Sequence, residues 1–306
     1  MIKDKEPMRA STDTAAINWE LSFDAIPALS PLAIELLSLD LNDDDAQEHL
    51  VRIVESEPAL GARLMGVANS AACGVADMRF TNITAAIHRI GLRRSIQLAS
   101  ALLFGQPIQS KLDACTREAF WLHSLTLAFA AQEIARVKHH PEPHAVYFLG
   151  LVHDLGYMVM EMHRPGVLGL IVSRMTSQQI SAQKAEVLEL GIEHQELSAR
   201  LLRNWKVPES LVTAIEQHHR LDIDPDSDAA VLFGAEQIAR SEAVVAALYA
   251  GLEHPFNAMG MDALGIEFFL DQQLSLSGDV VAGIQEKIIQ EVENLRASAQ
   301  SMTTTP

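Results

Sequence analysis

An adjacent imidazole and carboxylate stand inside an apolar run at Gly150-Leu-Val-His153-Asp154-Leu-Gly156-Tyr157. The run extends from Val146 to Met160, so both groups are expected to be buried. Burying them costs several kcal/mol unless they are paired or hold a metal. Further groups of the same kind lie on both sides: His123 before the run, then His194, the pair His218-His219, and Glu236. Each falls on a separate expected helix. Helical bundles build internal metal sites in this way, with every helix contributing an inward imidazole or carboxylate. Such a donor set suits a divalent cation: iron, manganese, zinc or nickel. The absence of thiolates argues against copper(I) or an iron–sulfur cluster. A His beside an Asp can ligate two metals, or supply one ligand and one bridge. A metal pair so held activates water and neutralises a phosphate ester.

Each candidate also has an ordinary reading. The chain holds 12 histidines, so some will fall near one another by composition alone. A helix C-terminus attracts imidazole for dipole reasons, which accounts for His218-His219 without a metal. His194, between Glu193 and Glu196, fits a surface position. On this reading the chain is a helical scaffold whose histidines are satisfied by hydrogen bonds. His49 and His88, isolated on amphipathic segments, read as surface or capping residues.

The elements that must position these groups read as helices throughout. Ser30-Pro31 supplies an N-cap and a first-turn proline, and Leu32, Leu36 and Leu37 follow on one face. Asn42-Asp-Asp-Asp45 precedes the next helix, and Ser56-Glu57-Pro58 breaks it and opens another. A helix from about Asn82 ends at Gly91, and Leu92 to Leu103 forms the next. Thr116 to Val137 carries His123. Pro141 and Pro143 precede a helix holding His153 and Asp154. Helices then run near Val167 to Met175, through Leu201, Leu202 and Trp205 after Glu186, Gly191 and His194, from Pro208 to His219, and from Ala229 to Ala250. Asp279 to Ser298 is amphipathic, with Val280, Val281, Ile284, Ile288, Val292 and Leu295 at helical spacing. The pattern predicts an all-α fold, a multi-helix bundle of two packed helical parts. Its boundaries are a disordered leader (1–17), an N-terminal helical subdomain (18–110), a second helical subdomain (111–250), C-terminal helices (251–298) and a polar tail (299–306).

Bulk properties narrow the function. The 306 residues carry a formal net charge of −17. That charge repels phosphate backbones and anionic lipid, which argues against nucleic-acid and membrane-surface roles. Cys73 and Cys115 form neither a disulfide framework nor a zinc motif, which suits a reducing cytoplasm. No signal peptide and no run long enough to span a bilayer is present, so a cytoplasmic location is expected.

Linked motifs carry a resemblance to the HDOD family, the HD-related output domain of bacterial signalling. They are Pro27-Ala-Leu-Ser-Pro31, Glu57-Pro-Ala-Leu60, Ala68-Asn-Ser-Ala71, Ala86-Ile-His-Arg-Ile-Gly91, Trp121-Leu-His-Ser124, the His153-Asp154 stretch, Gly191-Ile-Glu-His194, Trp205-Lys-Val-Pro208 and Ile215-Glu-Gln-His-His219. The likeness runs from about Phe23 to Arg240 and implies an all-helical fold whose second part is similar to the HD superfamily of metal-dependent phosphohydrolases. By that likeness His123 matches the first metal-ligand His, and His153 and Asp154 match the His-Asp pair. His194, His218 and His219 match later ligands, and Glu236 stands where the superfamily has a final Asp.

The chain departs from the superfamily at Tyr157, where a Lys facing substrate phosphate often stands, so a positive charge useful to phosphate chemistry is absent. Arg220-Leu-Asp-Ile-Asp224 replaces the Gly-Tyr-Pro loop of cyclic-di-GMP phosphodiesterases. The resemblance therefore implies a non-catalytic signalling module acting through a partner protein or small ligand supplied in trans, with a retained metal site. The alternative is a metal-dependent phosphohydrolase acting on a nucleotide or signalling phosphoester.

Overall fold

The computed structural model describes residues 26, 28–37, 39, 43–69, 82–109, 112–220, 222–248 and 269–303. The leader expected over 1–17, the residues after Asn69 in the Ala68–Ala71 motif, and 251–268 lie outside them. The described residues form helices and no strand. The all-α expectation holds.

Among the described residues, five helices make the N-terminal part: α1 (Pro31–Leu37), α2 (Ala46–Ser56), α3 (Pro58–Ala68), α4 (Ile83–Ile90) and α5 (Leu92–Gln109). Their ends follow local chemistry. Ser30 Oγ accepts from the Leu32 N–H, Pro58 opens α3, and Asn82 Oδ1 accepts from the Ala85 N–H at 2.7 Å. Leu50, Ile53, Leu60, Leu64 and Ile87 form the buried face of this part.

Helix α6 (Ala114–Val137) is the axis of the rest. Asp113 caps it by accepting from the Cys115 and Thr116 N–H groups. Its residues are buried nearly all round, as expected of a helix covered on every side. Around it pack α7 (Pro143–Val152), α13 (Asp228–Ala239), α15 (Gly278–Gln290) and α16 (Val292–Thr303). Helix α8 (Leu155–His163) packs against α11 (His194–Asn204), which in turn meets α12 (Glu209–Gln217). The hairpin of α9 (Val167–Gln178) and α10 (Ala182–Leu190) flanks α8, and α14 (Glu242–Leu248) lies against α15. Helix α16 also reaches α3 and α5, so the C-terminal helices fasten the two parts together.

Three expectations are corrected. His153 and Asp154 do not sit inside a helix: α7 ends at Val152 and α8 begins at Leu155, so the pair forms the joint. The helix expected over Ala229–Ala250 is interrupted at Arg240-Ser241. The C-terminal helix divides at Glu291, and its second half runs through residues read as tail, with Ala299 buried.

Two glycines permit the close approaches on which the joint depends. A Cβ at Gly150 would stand 2.6 Å from Ala128 Cα, so α7 lies on α6 only because none is there. A Cβ at Gly156 would collide with the backbone carbonyl of His194. The start of α8 and the start of α11 are thereby brought into direct contact.

Candidate metal centre

Asp154, fully buried at the joint of α7 and α8, is the hub. Its Oδ2 lies 3.2 Å from His123 Nε2 and 3.0 Å from His153 Nε2. Its Oδ1 lies 3.3 Å from His194 Nε2 and 3.9 Å from His218 Nε2. His219 joins the second group through His194, with 2.9 Å between the two Nε2 atoms. The donor atoms therefore fall into two sets that share Asp154. One is His123, His153 and Asp154; the other is Asp154, His194, His218 and His219, and within each set the atoms lie within 4.8 Å of one another.

Glu236 stands outside both sets. It approaches His219 Nδ1 at 3.4 Å and pairs with Arg240 Nη2 at 2.6 Å. All seven residues anticipated from the sequence thus gather in one place, with Glu236 behind the imidazoles rather than among the closely grouped donors.

Proton positions follow from what each outer nitrogen meets. His153 Nδ1 lies 2.8 Å from the Gly150 carbonyl, and His218 Nδ1 lies 2.6 Å from the Ile215 carbonyl. A carbonyl accepts only, so Nδ1 must donate in both rings. In the neutral imidazole Nε2 then carries a lone pair. His194 Nδ1 lies 2.9 Å from the Glu186 carboxylate, which fixes that ring in the same sense. In neutral His153 and His218 the Nε2 lone pair consequently faces an Asp154 oxygen inside the core, acceptor against acceptor. Both Asp154 oxygens and His218 Nε2 are buried without a hydrogen bond. Such an arrangement is unfavourable unless a cation or proton lies between the groups. The residues fit a metal ion on this ground, and the outer hydrogen bonds match the pattern by which proteins orient metal-bound imidazoles.

Charge distribution points the same way. Burial pushes His123 and His219 down to about 4, and burial with neighbouring His219 and His153 holds His218 well below its ordinary value. These rings are neutral near pH 7, as ligation requires. Burial alone would also lower His194, but the charges of Glu186 and Asp154 outweigh it and raise the ring to about 8. Burial opposes ionisation of Asp154, yet His153, His123 and His194 hold its carboxyl well below the usual range. His219 and Arg240 do the same for Glu236. With no metal bound, the centre draws a proton to His194, where positive charge is most stabilised.

Sequence reasoning missed the groups behind His194. Glu186, fully buried on α10, accepts from the His194 backbone N–H at 2.9 Å, from His194 Nδ1, and from the Tyr157 hydroxyl at 2.6 Å. Tyr157 stacks on the His194 ring with centroids 4.2 Å apart and planes 15° from parallel. Tyr157 therefore clamps a histidine between its ring and the carboxylate its hydroxyl holds. Ser198 Oγ accepts from the Gly156 N–H at 2.7 Å and ties α11 to the joint. One signal for Glu186 was present: it lies four residues from both Ala182 and Leu190 on the buried face of α10. Arg240, four residues after Glu236, was legible as an i,i+4 partner.

The likeness suggested by the motifs is now testable against known proteins. Residues 26–221, more than half of the chain, match the sequence model of the HDOD domain. The chain belongs to the HDOD family. An uncharacterized protein of Treponema pallidum (strain Nichols) is 26% identical over 204 residues, covering 66% of this chain and 39% of that one. The chain thus spans about two fifths of the length of that relative. Among solved structures, a protein from Marinobacter aquaeolei VT8 named for signal transduction superposes with a TM-score of 0.72 at 23% identity, covering 94% of this HDOD chain and 62% of the other. An HDOD domain protein of unknown function from Geobacter sulfurreducens gives 0.67 at 18% identity, covering 93% and 99%. A protein from Shewanella amazonensis SB2B, by name a phosphohydrolase, gives 0.62 at 21% identity, covering 95% and 99%. At these identities the likenesses establish the HDOD fold. Among the described residues no helix is long and apolar enough to cross a membrane.

Proposed function

We propose that this HDOD chain is a regulatory module of bacterial signalling that binds a partner protein or small ligand in trans, and that the buried cluster is its metal centre. His123, His153 and Asp154 would form one half of the centre, and Asp154, His194, His218 and His219 the other. Glu186, Tyr157 and Glu236 would act behind them by orienting His194 and His219. Nitrogen and oxygen donors without thiolate suit iron, manganese, zinc or nickel, of which iron or manganese is the metal proposed here. A metal held there supplies positive charge that offsets the buried carboxylates and fixes the joint of α7 and α8 to α11 and α12.

The observation that carries a regulatory over a catalytic reading is enclosure. His153, Asp154 and His218 have no exposure, and the most open of the ligands, His219, is 14% exposed. A catalytic metal keeps an open position for water and substrate. Tyr157 reinforces the point, since its hydroxyl is committed to Glu186 and offers no cation to a phosphate.

One observation favours the phosphohydrolase reading. Two donor sets sharing a carboxylate are what two-metal hydrolysis uses. Metal analysis of tag-free protein and a turnover screen separate the readings. The regulatory reading expects stoichiometric iron or manganese, its loss in Asp154→Ala, and no turnover of nucleotides, cyclic dinucleotides or phosphomonoesters by the loaded protein. Metal-dependent turnover of any of these would overturn it in favour of the enzyme.

A further inference from the structure

A cleft of about 350 Å³ lies apart from the His/Asp centre, where the Gly91 joint between α4 and α5, one side of α6 and the joint between α15 and α16 come together. Three guanidinium groups line it: Arg93, Arg94 and Arg136. In a chain with a net charge of −17, so many cations around one cavity need a reason. Arg136 is engaged, ion-paired with Glu133 and donating to Gln132 Oε1 at 2.6 Å. Arg93 and Arg94 make no hydrogen bond or ion pair among the described residues.

Arg93 is exposed and Arg94 half-buried. They occupy the first turn of α5, the end of a helix where the dipole disfavours cations, and no acidic residue stands in that turn. The first intrahelical bond there runs from Ser95 N–H to the Gly91 carbonyl. The N–H groups of Leu92, Arg93 and Arg94 consequently have no acceptor within the helix. Helix dipole, free N–H groups and two guanidinium groups all favour an anion at this spot.

Tyr147 supplies an independent observation. It lies on α7, is 6% exposed, and lines the same cleft. Its hydroxyl has no hydrogen-bond partner among the described residues. Burial raises its pKa well above the ordinary value, with Arg94 pulling weakly the other way, so the group is an O–H donor at neutral pH. The ring is buried while the hydroxyl opens on the cleft, so its donor is free to meet a ligand oxygen there. The remaining wall is apolar at Leu98, Leu125 and Phe129, which suits an organic portion. Glu291 faces the cleft with its carboxylate bonded to Asn294 Nδ2 at 2.7 Å, an opposing charge that disfavours long polyanions.

We propose that this cleft binds a small phosphorylated organic anion of nucleotide size, its phosphate held by Arg93, Arg94, the first turn of α5 and the Tyr147 hydroxyl. The volume lies within the range of small-molecule sites, roughly 300–1,000 Å³. The site needs no metal. It shares two helices with the centre, because α6 carries both His123 and Arg136, and α7 runs from Tyr147 to the His153 joint.

Calorimetric titration of the full chain with GMP and with inorganic pyrophosphate tests the proposal, repeated after chelation to separate this cleft from the metal centre. Saturable binding of GMP at one site is expected, with about ten-fold or greater loss in Arg94→Ala and in Arg93→Ala. Tyr147→Phe should weaken binding about three- to ten-fold. Chelation should leave the affinity unchanged. Arg93 is exposed, so its replacement does not touch the core and secures the test against misfolding. Failure of both probes to bind at about 1 mM overturns the proposal. So does binding that survives both arginine replacements, or that disappears on chelation, since the anion is then held at the metal centre.

Discussion

The helices before Gln109 and those between Ala114 and Ala239 have similar apolar faces but treat polar groups differently. In the described N-terminal part the buried polar side chains are Ser95 and Ser100. Its histidines stay at the surface, His49 against Glu35 at 2.8 Å and His88 against Gln47 at 3.1 Å. In the second part His123, His153, Asp154, Glu186, His194, His218 and Glu236 are all buried. Hydrophobic burial would assemble either part. The second part accepts the desolvation of several ionisable groups, a cost that packing alone does not require. Substitutions in the two parts should therefore separate stability from metal retention.

The largest effect is expected at Asp154, where one carboxylate lies against four imidazole nitrogens. Asp154→Ala should lose the metal and about 3–5 kcal/mol of stability, as for breaking a buried ionic group. Metal analysis and denaturant unfolding read both; full metal occupancy in the variant would remove Asp154 from its place as hub. Leu50→Ala is the matched control, since Leu50 is fully buried in the N-terminal part, which contributes none of the donor residues. A loss of about 2–5 kcal/mol is expected with metal content unchanged. Metal loss here would mean that the two parts are not energetically separable.

Gly156→Ala comes next and acts on geometry alone. The added methyl meets the His194 carbonyl, which must move. About 1–3 kcal/mol should be lost. Since His194 belongs to the second donor set, metal affinity should fall more than for an equally destabilising change in the N-terminal part. Equal metal affinity in Gly156→Ala and Leu50→Ala at matched stability would contradict that link.

How much of this was legible depends on where each residue finds its partner. Local partners were readable: Ser30, Asn82, Pro58 and Gly91 act within a few residues of their own positions, and the helix ends fell where those residues put them. The convergence of His123, His153, Asp154, His194, His218, His219 and Glu236 was legible only as a set, because no single spacing joins them. The break at His153-Asp154 was not legible, since the apolar run continues through Leu155 to Met160 and the joint is set by contact with α11. Glu186 was missed because what justifies its burial comes from Tyr157 and His194, on two other helices. The arginine-lined cleft was likewise hidden: Arg94, Arg136 and Tyr147 belong to three helices, and in sequence each resembles an ordinary surface or core residue.

Tyr157 offers the smallest and most discriminating test. Its ring stacks on His194 and its hydroxyl donates to Glu186, which also receives His194 Nδ1. Tyr157→Phe keeps the stack and removes only the hydroxyl, so packing is nearly constant. Loss of a hydrogen bond to a charged group predicts about 1.5–3 kcal/mol, reduced here because Glu186 retains the His194 ring and backbone N–H. A net cost near ~1 kcal/mol is therefore expected, with a modest fall in metal affinity because His194 is less firmly oriented. Unfolding and metal competition with a chelator read the two quantities separately. If stability falls while metal affinity does not, Tyr157 is a packing residue. If affinity falls as well, Tyr157 positions a metal ligand, its hydroxyl holding Glu186 in place to orient His194.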